Sequence, residues 1–280
     1  MKKLLLTLTF VGVVLGAANL SAQDEDFYIF LCFGQSNMEG YPGIPESEKG
    51  PVDPRFQVLA AVDFPEMGRE KGQWYTAVPP LSRPPAGLSP ADYFGRALVA
   101  ELPEDKKVGV INVAVGGTKI ELFDETTREA YLADAPDWLH GIASAYDKDP
   151  YARLVEMGKL AQKDGVIKGI LLHQGESNTG DQEWPAKVKT IYRNLLSDLD
   201  LQAEDVPLIA GEVVAADQNG KCASMNEIIR TLPETIPTAH VVSSEGCPDT
   251  EDDLHFSPEG YQMLGERYAK VMLDLLEESE

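Results

Sequence analysis

The chain carries a run of seven apolar or aromatic residues, 27–33 (Phe-Tyr-Ile-Phe-Leu-Cys-Phe), that breaks off at Gly34. Such a run is too short for an ordinary helix and rich in side chains that suit a pleated surface, so it predicts a buried strand. Further strands are predicted from Lys107 into the Gly116-Gly117 turn, and over 166–173, 206–214 and 239–243. Helical periodicity falls between them. Ser89-Pro90 reads as an N-cap followed by proline at the first helical position, and Phe94, Leu98 and Leu102 then recur every four residues. An amphipathic helix is predicted over 151–163, a long helix over 184–201 and a short one over 225–232. Ser257-Pro258 opens a closing helix with Tyr261, Leu264, Tyr268 and Met272 on one side. Residues 41–90 interrupt this alternation with a long proline-rich excursion, and 136–141 reads as a loop. Trp74 and Tyr75 in the excursion either stack on a sugar ring or tack the segment to the body. Strand-helix alternation with continuous apolar strands predicts an α/β fold, a parallel sheet with helices on both faces, in one domain.

Residues 1–22 stand apart. Met-Lys-Lys, an apolar stretch from Leu4 to Ala18 and a small-residue ending at Ala22 form a secretory signal peptide, leaving 23–280 as the folded domain of a periplasmic or secreted protein. The apolar stretch is shorter than the roughly 20 residues of a membrane span. With 43% hydrophobic residues the remainder can bury a sizeable core. The net charge of −22 becomes more negative once Lys2 and Lys3 are removed, which disfavours nucleic acid and anionic membrane as partners. A neutral sugar chain is compatible with it. Of three cysteines, Cys32 lies in the first strand as a small apolar residue, and Cys222 and Cys247 are available to pair in an oxidising compartment.

In an open parallel sheet, ligands bind beyond the carboxyl ends of the strands. There the chain places Ser36, Gly116-Gly117, His173-Gln174-Gly175-Glu176 and, beyond the fifth strand, Asp252-Asp253-Leu254-His255. Ser36 is either an exposed nucleophile on a tight turn or a turn residue bonding its own backbone. A serine nucleophile needs a base, and the chain has four histidines. His240 lies within a strand and His140 in a loop, and His173 ends a strand. His255 follows Asp252 by three residues, so one turn can set a carboxylate against its imidazole. The N–H groups of Ser36 and Gly117 and the side-chain amide of Gln174 are the candidate oxyanion donors.

Taken together, Gly34-Gln-Ser-Asn-Met38, Asn112-Val-Ala-Val-Gly-Gly-Thr118, His173-Gln-Gly-Glu-Ser177 and Asp252-Asp-Leu-His-Phe-Ser257 resemble the SGNH hydrolase superfamily. They look like its sialate O-acetylesterase or carbohydrate esterase family six branch, which includes acetylxylan esterases. The resemblance spans nearly all of 23–280. It implies a three-layer, flavodoxin-like α/β/α fold with a five-stranded parallel sheet. It also implies removal of acetyl groups from sugar hydroxyls without a cofactor. Carried over, Ser36 is the nucleophile, His255 the base and Asp252 its acid, with Ser36, Gly117 and Gln174 forming the oxyanion hole. The superfamily's Gly-Asp-Ser-Leu stands here as Gly-Gln-Ser-Asn, and its Gly-x-Asn-Asp is replaced by His-Gln-Gly-Glu. In some members of the branch the glutamate of that second stretch serves as the triad acid, which makes Glu176 the rival of Asp252.

Other readings remain at this point. His173, Glu176, Asp252 and His255 are residue types that bind zinc or manganese, although no tight ligand spacing joins them. The acidic residues between Glu245 and Asp253 lack the glycine and alternation of a calcium loop. A non-catalytic carbohydrate-binding domain would retain the fold, but would be expected to have lost one of Ser36, Asp252 or His255. Acetylated xylan is the favoured substrate and an O-acetylated sialic acid the alternative.

Overall fold

In the computed structural model, which describes residues 23–41 and 43–278, strand β1 (Asp24–Gly34) is the middle of the sheet. Its alternating side chains feed two cores. Phe27, Ile29, Leu31 and Phe33 enter one, and Tyr28, Phe30 and Cys32 enter the other. Both faces of β1 are therefore covered, which is why its sequence reads as an unbroken apolar run. A fully buried side chain such as Phe30 contributes about 1.5–3 kcal/mol relative to exposure.

The sheet has seven strands in the order β3-β2-β4-β1-β5-β6-β7. The remaining six are β2 (Phe56–Leu59), β3 (Trp74–Thr76), β4 (Lys107–Ala114), β5 (Gly165–His173), β6 (Leu208–Gly211) and β7 (Ala239–Val242). All pairs are parallel except β2 with β3. The α/β class and the five expected strands are present, and the strand count is corrected from five to seven. The two additional strands lie in the 41–90 excursion, where they extend the sheet beyond β4 and end it in an antiparallel edge. Trp74 packs on Phe27 with ring centroids 4.8 Å apart and donates from Nε1 to Asp164. It tacks the excursion to the body.

Helices Pro150–Ala161 and Trp184–Asp198 cover the first core, and helices Pro90–Glu101 and Pro258–Glu278 the second, giving three layers. The Ser89 cap forms as expected: Asp92 accepts from the Ser89 N–H at 2.9 Å and its hydroxyl at 3.1 Å. Ser257 caps the last helix, its hydroxyl accepting from the Gly260 N–H at 3.2 Å. Residues 136–141, expected as a loop, lead into and form most of a helix, Asp137–Ala143. Cys32, Cys222 and Cys247 are free thiols, so Cys222 and Cys247 do not pair. Residues 1–22, expected from the sequence to be a signal peptide, lie outside the described residues. No helix among the described residues is long and apolar enough to cross a membrane.

Candidate active site

β1, β4 and β5 end side by side, and the backbone leaving β1 turns at once. At Gly34 a Cβ would lie 2.0 Å from the His173 carbonyl oxygen, so only glycine lets β1 and β5 close at this point. The Gln35 N–H donates to that carbonyl at 3.0 Å, and residues Ser36–Glu39 then form a single helical turn. Buried Asn112 of β4 donates to the Met38 carbonyl at 2.8 Å and pins the turn from beneath.

Ser36 meets His255 here, 219 residues away in sequence: Ser36 Oγ lies 2.8 Å from His255 Nε2. His255 Nδ1 lies 2.7 Å from Asp252 Oδ2. The other oxygen of Asp252 accepts from the Thr250 hydroxyl at 2.8 Å and from the Leu254 and His255 N–H groups at 2.9 Å each. Partial burial pushes the Asp252 carboxyl up, but these hydrogen bonds outweigh it and hold the group well below the usual carboxylate range. Asp252 is thus a fixed anion behind the imidazole. Serine, histidine and aspartate form one hydrogen-bonded row.

Gly117 sits beside this row on the turn after β4, at φ +68°, in the left-handed region. Among the described residues neither the Gly117 N–H nor the Ser36 N–H donates to a protein acceptor. The preceding Gly116 N–H donates to the carboxylate of Glu39, which is held in turn by Arg83 at 2.6 Å. Burial raises the Glu39 pKa, and Arg83 only partly offsets it.

Gln174 departs from the expected arrangement. It is buried, its Oε1 accepts from Trp184 Nε1 at 2.6 Å, and its amide nitrogen donates to Asn178 Oδ1 at 2.8 Å and Gln35 Oε1 at 3.1 Å. Both amide hydrogens are committed, so Gln174 has none left for an oxyanion. It braces the turn through Gln35 instead.

Glu176 is also buried, but its hydrogen bond goes to Asn37 Nδ2, at 2.6 Å, and not to His255. Burial raises its pKa. His173 is fully buried and its pKa is lowered to about 3 by desolvation, which keeps it neutral. Its Nε2 lies 4.0 Å from Glu176. Among the described residues no three His, Cys, Asp or Glu side chains converge as metal ligands, so the quartet of His173, Glu176, Asp252 and His255 does not form a ligand set.

Two features escaped the sequence reading. Asn37 joins the site's separate segments, donating to Glu176 and, at 3.1 Å, to the Leu254 carbonyl, and accepting from the Phe256 N–H at 3.2 Å and the Tyr261 hydroxyl at 2.8 Å. The only signal for it was a polar residue next to the candidate nucleophile. Tyr41 and Trp138, both exposed, flank the site, Tyr41 with its ring centroid 4.2 Å from that of His255.

A family model described as carbohydrate esterase, sialic acid-specific acetylesterase, matches residues 26–274. Among solved structures, a protein of Arabidopsis thaliana is similar at 22% identity and a TM-score of 0.66, over 88% of this chain and 98% of that one. NanS is similar at 18% identity and a TM-score of 0.62, over 91% and 99% of the two chains. A carbohydrate acetylesterase from Xanthomonas citri is similar at 17% identity and a TM-score of 0.62, over 90% of this chain and 56% of that one. At these identities the structural likenesses speak to the fold.

Proposed function

The chain belongs to the carbohydrate esterase, sialic acid-specific acetylesterase family, and from this we propose that it deacetylates a sugar chain through an acetyl-enzyme on Ser36. It is a carboxylic ester hydrolase acting on acetylated carbohydrate. The observation that carries the mechanism is the row Ser36–His255–Asp252, with contacts of 2.8 and 2.7 Å.

His255 Nε2 takes the Ser36 proton as Oγ attacks the acetyl carbonyl carbon. The carbonyl oxygen becomes an oxyanion, received by the free N–H groups of Ser36 and Gly117. As the carbon–oxygen bond to the sugar breaks, the imidazolium returns its proton to the departing sugar oxygen. A water then attacks the acetyl-enzyme with His255 again as base, and acetate leaves. Asp252 stays ionised throughout and holds Nδ1–H, which keeps Nε2 free to accept. Glu176, its pKa raised by burial, accepts from Asn37 and holds it in place. No step needs a metal or cofactor.

Acetylated xylan, a neutral polymer, is the substrate we favour, on the strength of the strongly acidic chain. An O-acetylated sialic acid is the second reading, favoured by the family description and by Arg83, a cation near the Gly116–Gly117 turn. Glu39 already matches that charge, so the reading comes second. Residues 1–22 support action outside the cytoplasm. The test is acetate release from acetylated xylan and from 9-O-acetylated sialic acid, with and without a chelator. Faster turnover of xylan, indifferent to the chelator, is expected. Preference for the sialic acid reverses the substrate order, and loss of turnover with the chelator removes the mechanism.

A further inference from the structure

Tyr41 and Trp138 are the two exposed large hydrophobic side chains among the described residues, at 45% and 54% of full exposure. An exposed aromatic taken singly is unremarkable. Here both stand at the same place, one on each side of the reacting serine. The Tyr41 ring lies against His255, with centroids 4.2 Å apart and planes inclined at 39°. The six-membered ring of Trp138 lies against Gly117, where a Cβ would come within 2.6 Å of its Cη2. The absence of a side chain at Gly117 therefore does two things: it permits the left-handed turn and it lets the indole approach.

The reaction fixes what lies between them. His255 Nε2 must reach the sugar oxygen that carries the acetyl group, so this oxygen sits within about one ring width of Tyr41. The oxyanion sits at Gly117, beneath the edge of Trp138. A pyranose ring has apolar C–H faces and a polar rim, and an aromatic face held partly in water suits it, since the ring needs no hydrogen-bond partner of its own. We propose that Tyr41 and Trp138 are the sugar-binding residues of this enzyme, gripping a neutral acetylated pyranose chain by its C–H faces. Tyr41 takes the residue that bears the ester. The identity of the ligand rests on the function proposed above.

Binding decides the matter independently of turnover. The full chain carrying Ser36→Ala, which holds substrate without consuming it, is titrated with an acetylated xylo-oligosaccharide by calorimetry. Binding is expected, and adding Tyr41→Ala or Trp138→Ala should weaken it about 3- to 10-fold each. Tyr41→Phe, which keeps the ring, should bind as the parent does. Both side chains are exposed, so the melting temperature should stay at that of the parent. Absence of binding at millimolar ligand, or alanine variants that bind as tightly as the parent, overturns the assignment. Failure of the wild-type chain to hydrolyse any acetyl ester would remove the proposed reaction, while the titration still decides the sugar site.

Discussion

Replacing Asp252 with asparagine changes one atom in the contact that orients His255. Asp252 Oδ1 accepts three hydrogen bonds, from Thr250, Leu254 and the His255 backbone, at 2.8–2.9 Å, and Oδ2 meets His255 Nδ1 at 2.7 Å. The asparagine carbonyl can keep the first three, so its NH2 group must take the place of Oδ2. A donor there obliges Nδ1 to accept, which moves the imidazole proton to Nε2. That proton then points at Ser36 Oγ, and the imidazole can no longer take one from it. The same tautomer error in serine proteases costs about 10⁴ in kcat, or about 5 kcal/mol of barrier. Glu176→Gln is the control. Its Oε1 can still accept from Asn37 and it makes no hydrogen bond to His255, so kcat should stay within about tenfold of wild type. Steady-state hydrolysis of 4-nitrophenyl acetate reads both variants, with urea unfolding to establish that each is folded. A fall of about 10⁴ in Glu176→Gln with Asp252→Asn nearly unimpaired would assign the acid to Glu176 instead of Asp252.

Three further outcomes are expected. Gly117→Ala sets a Cβ at φ +68° and 2.6 Å from Trp138; by displacing an oxyanion donor it should lower kcat by about 10²–10³ with KM little changed, in the same assay. Asn37→Ala strips four hydrogen bonds from a buried site and leaves Glu176 without its partner, which should cost about 3 kcal/mol of stability, read as a lower urea midpoint at unchanged m. His173 is held neutral down to about pH 3, whereas an unfolded imidazole takes its proton near pH 6.5; its contribution is full above about 6.5 and declines as pH falls, by about 1.4 kcal/mol per unit, until about 3. His173→Gln should flatten this part of the stability–pH profile, and an unaltered slope in calorimetric melts would show that the residue protonates freely in the folded state.

What the chain revealed in advance follows from the range of the interactions involved. Strands β1, β4, β5, β6 and β7 are buried on one or both faces within mostly apolar runs, so pattern alone locates them. β2 and β3 lie in the proline-rich excursion without a longer apolar run around them, and they exist because β4 offers an edge to pair with. The helix Asp137–Ala143 hides behind Pro136 and the internal Gly141. At the site, the meeting of Ser36, Asp252 and His255 was legible from their places beyond the strand ends and the three-residue spacing of Asp252 and His255. Their support was not. Asn37 bonds to residues 139, 217 and 224 positions away, and Trp138 reaches Gly117 only after folding. Gln174 was misplaced for the same reason: a strand-end amide reads as an open donor until Trp184, Asn178 and Gln35 are seen to occupy it.

Whether Ser36 carries the acetyl group is read most directly from acetate release from acetylated xylan by the wild-type chain beside Ser36→Ala. Removal of the nucleophile from a row held at 2.8 and 2.7 Å should lower turnover by on the order of 10⁶, to near the uncatalysed rate. Acetate release by Ser36→Ala within about tenfold of wild type would contradict the account and place the reaction on another group.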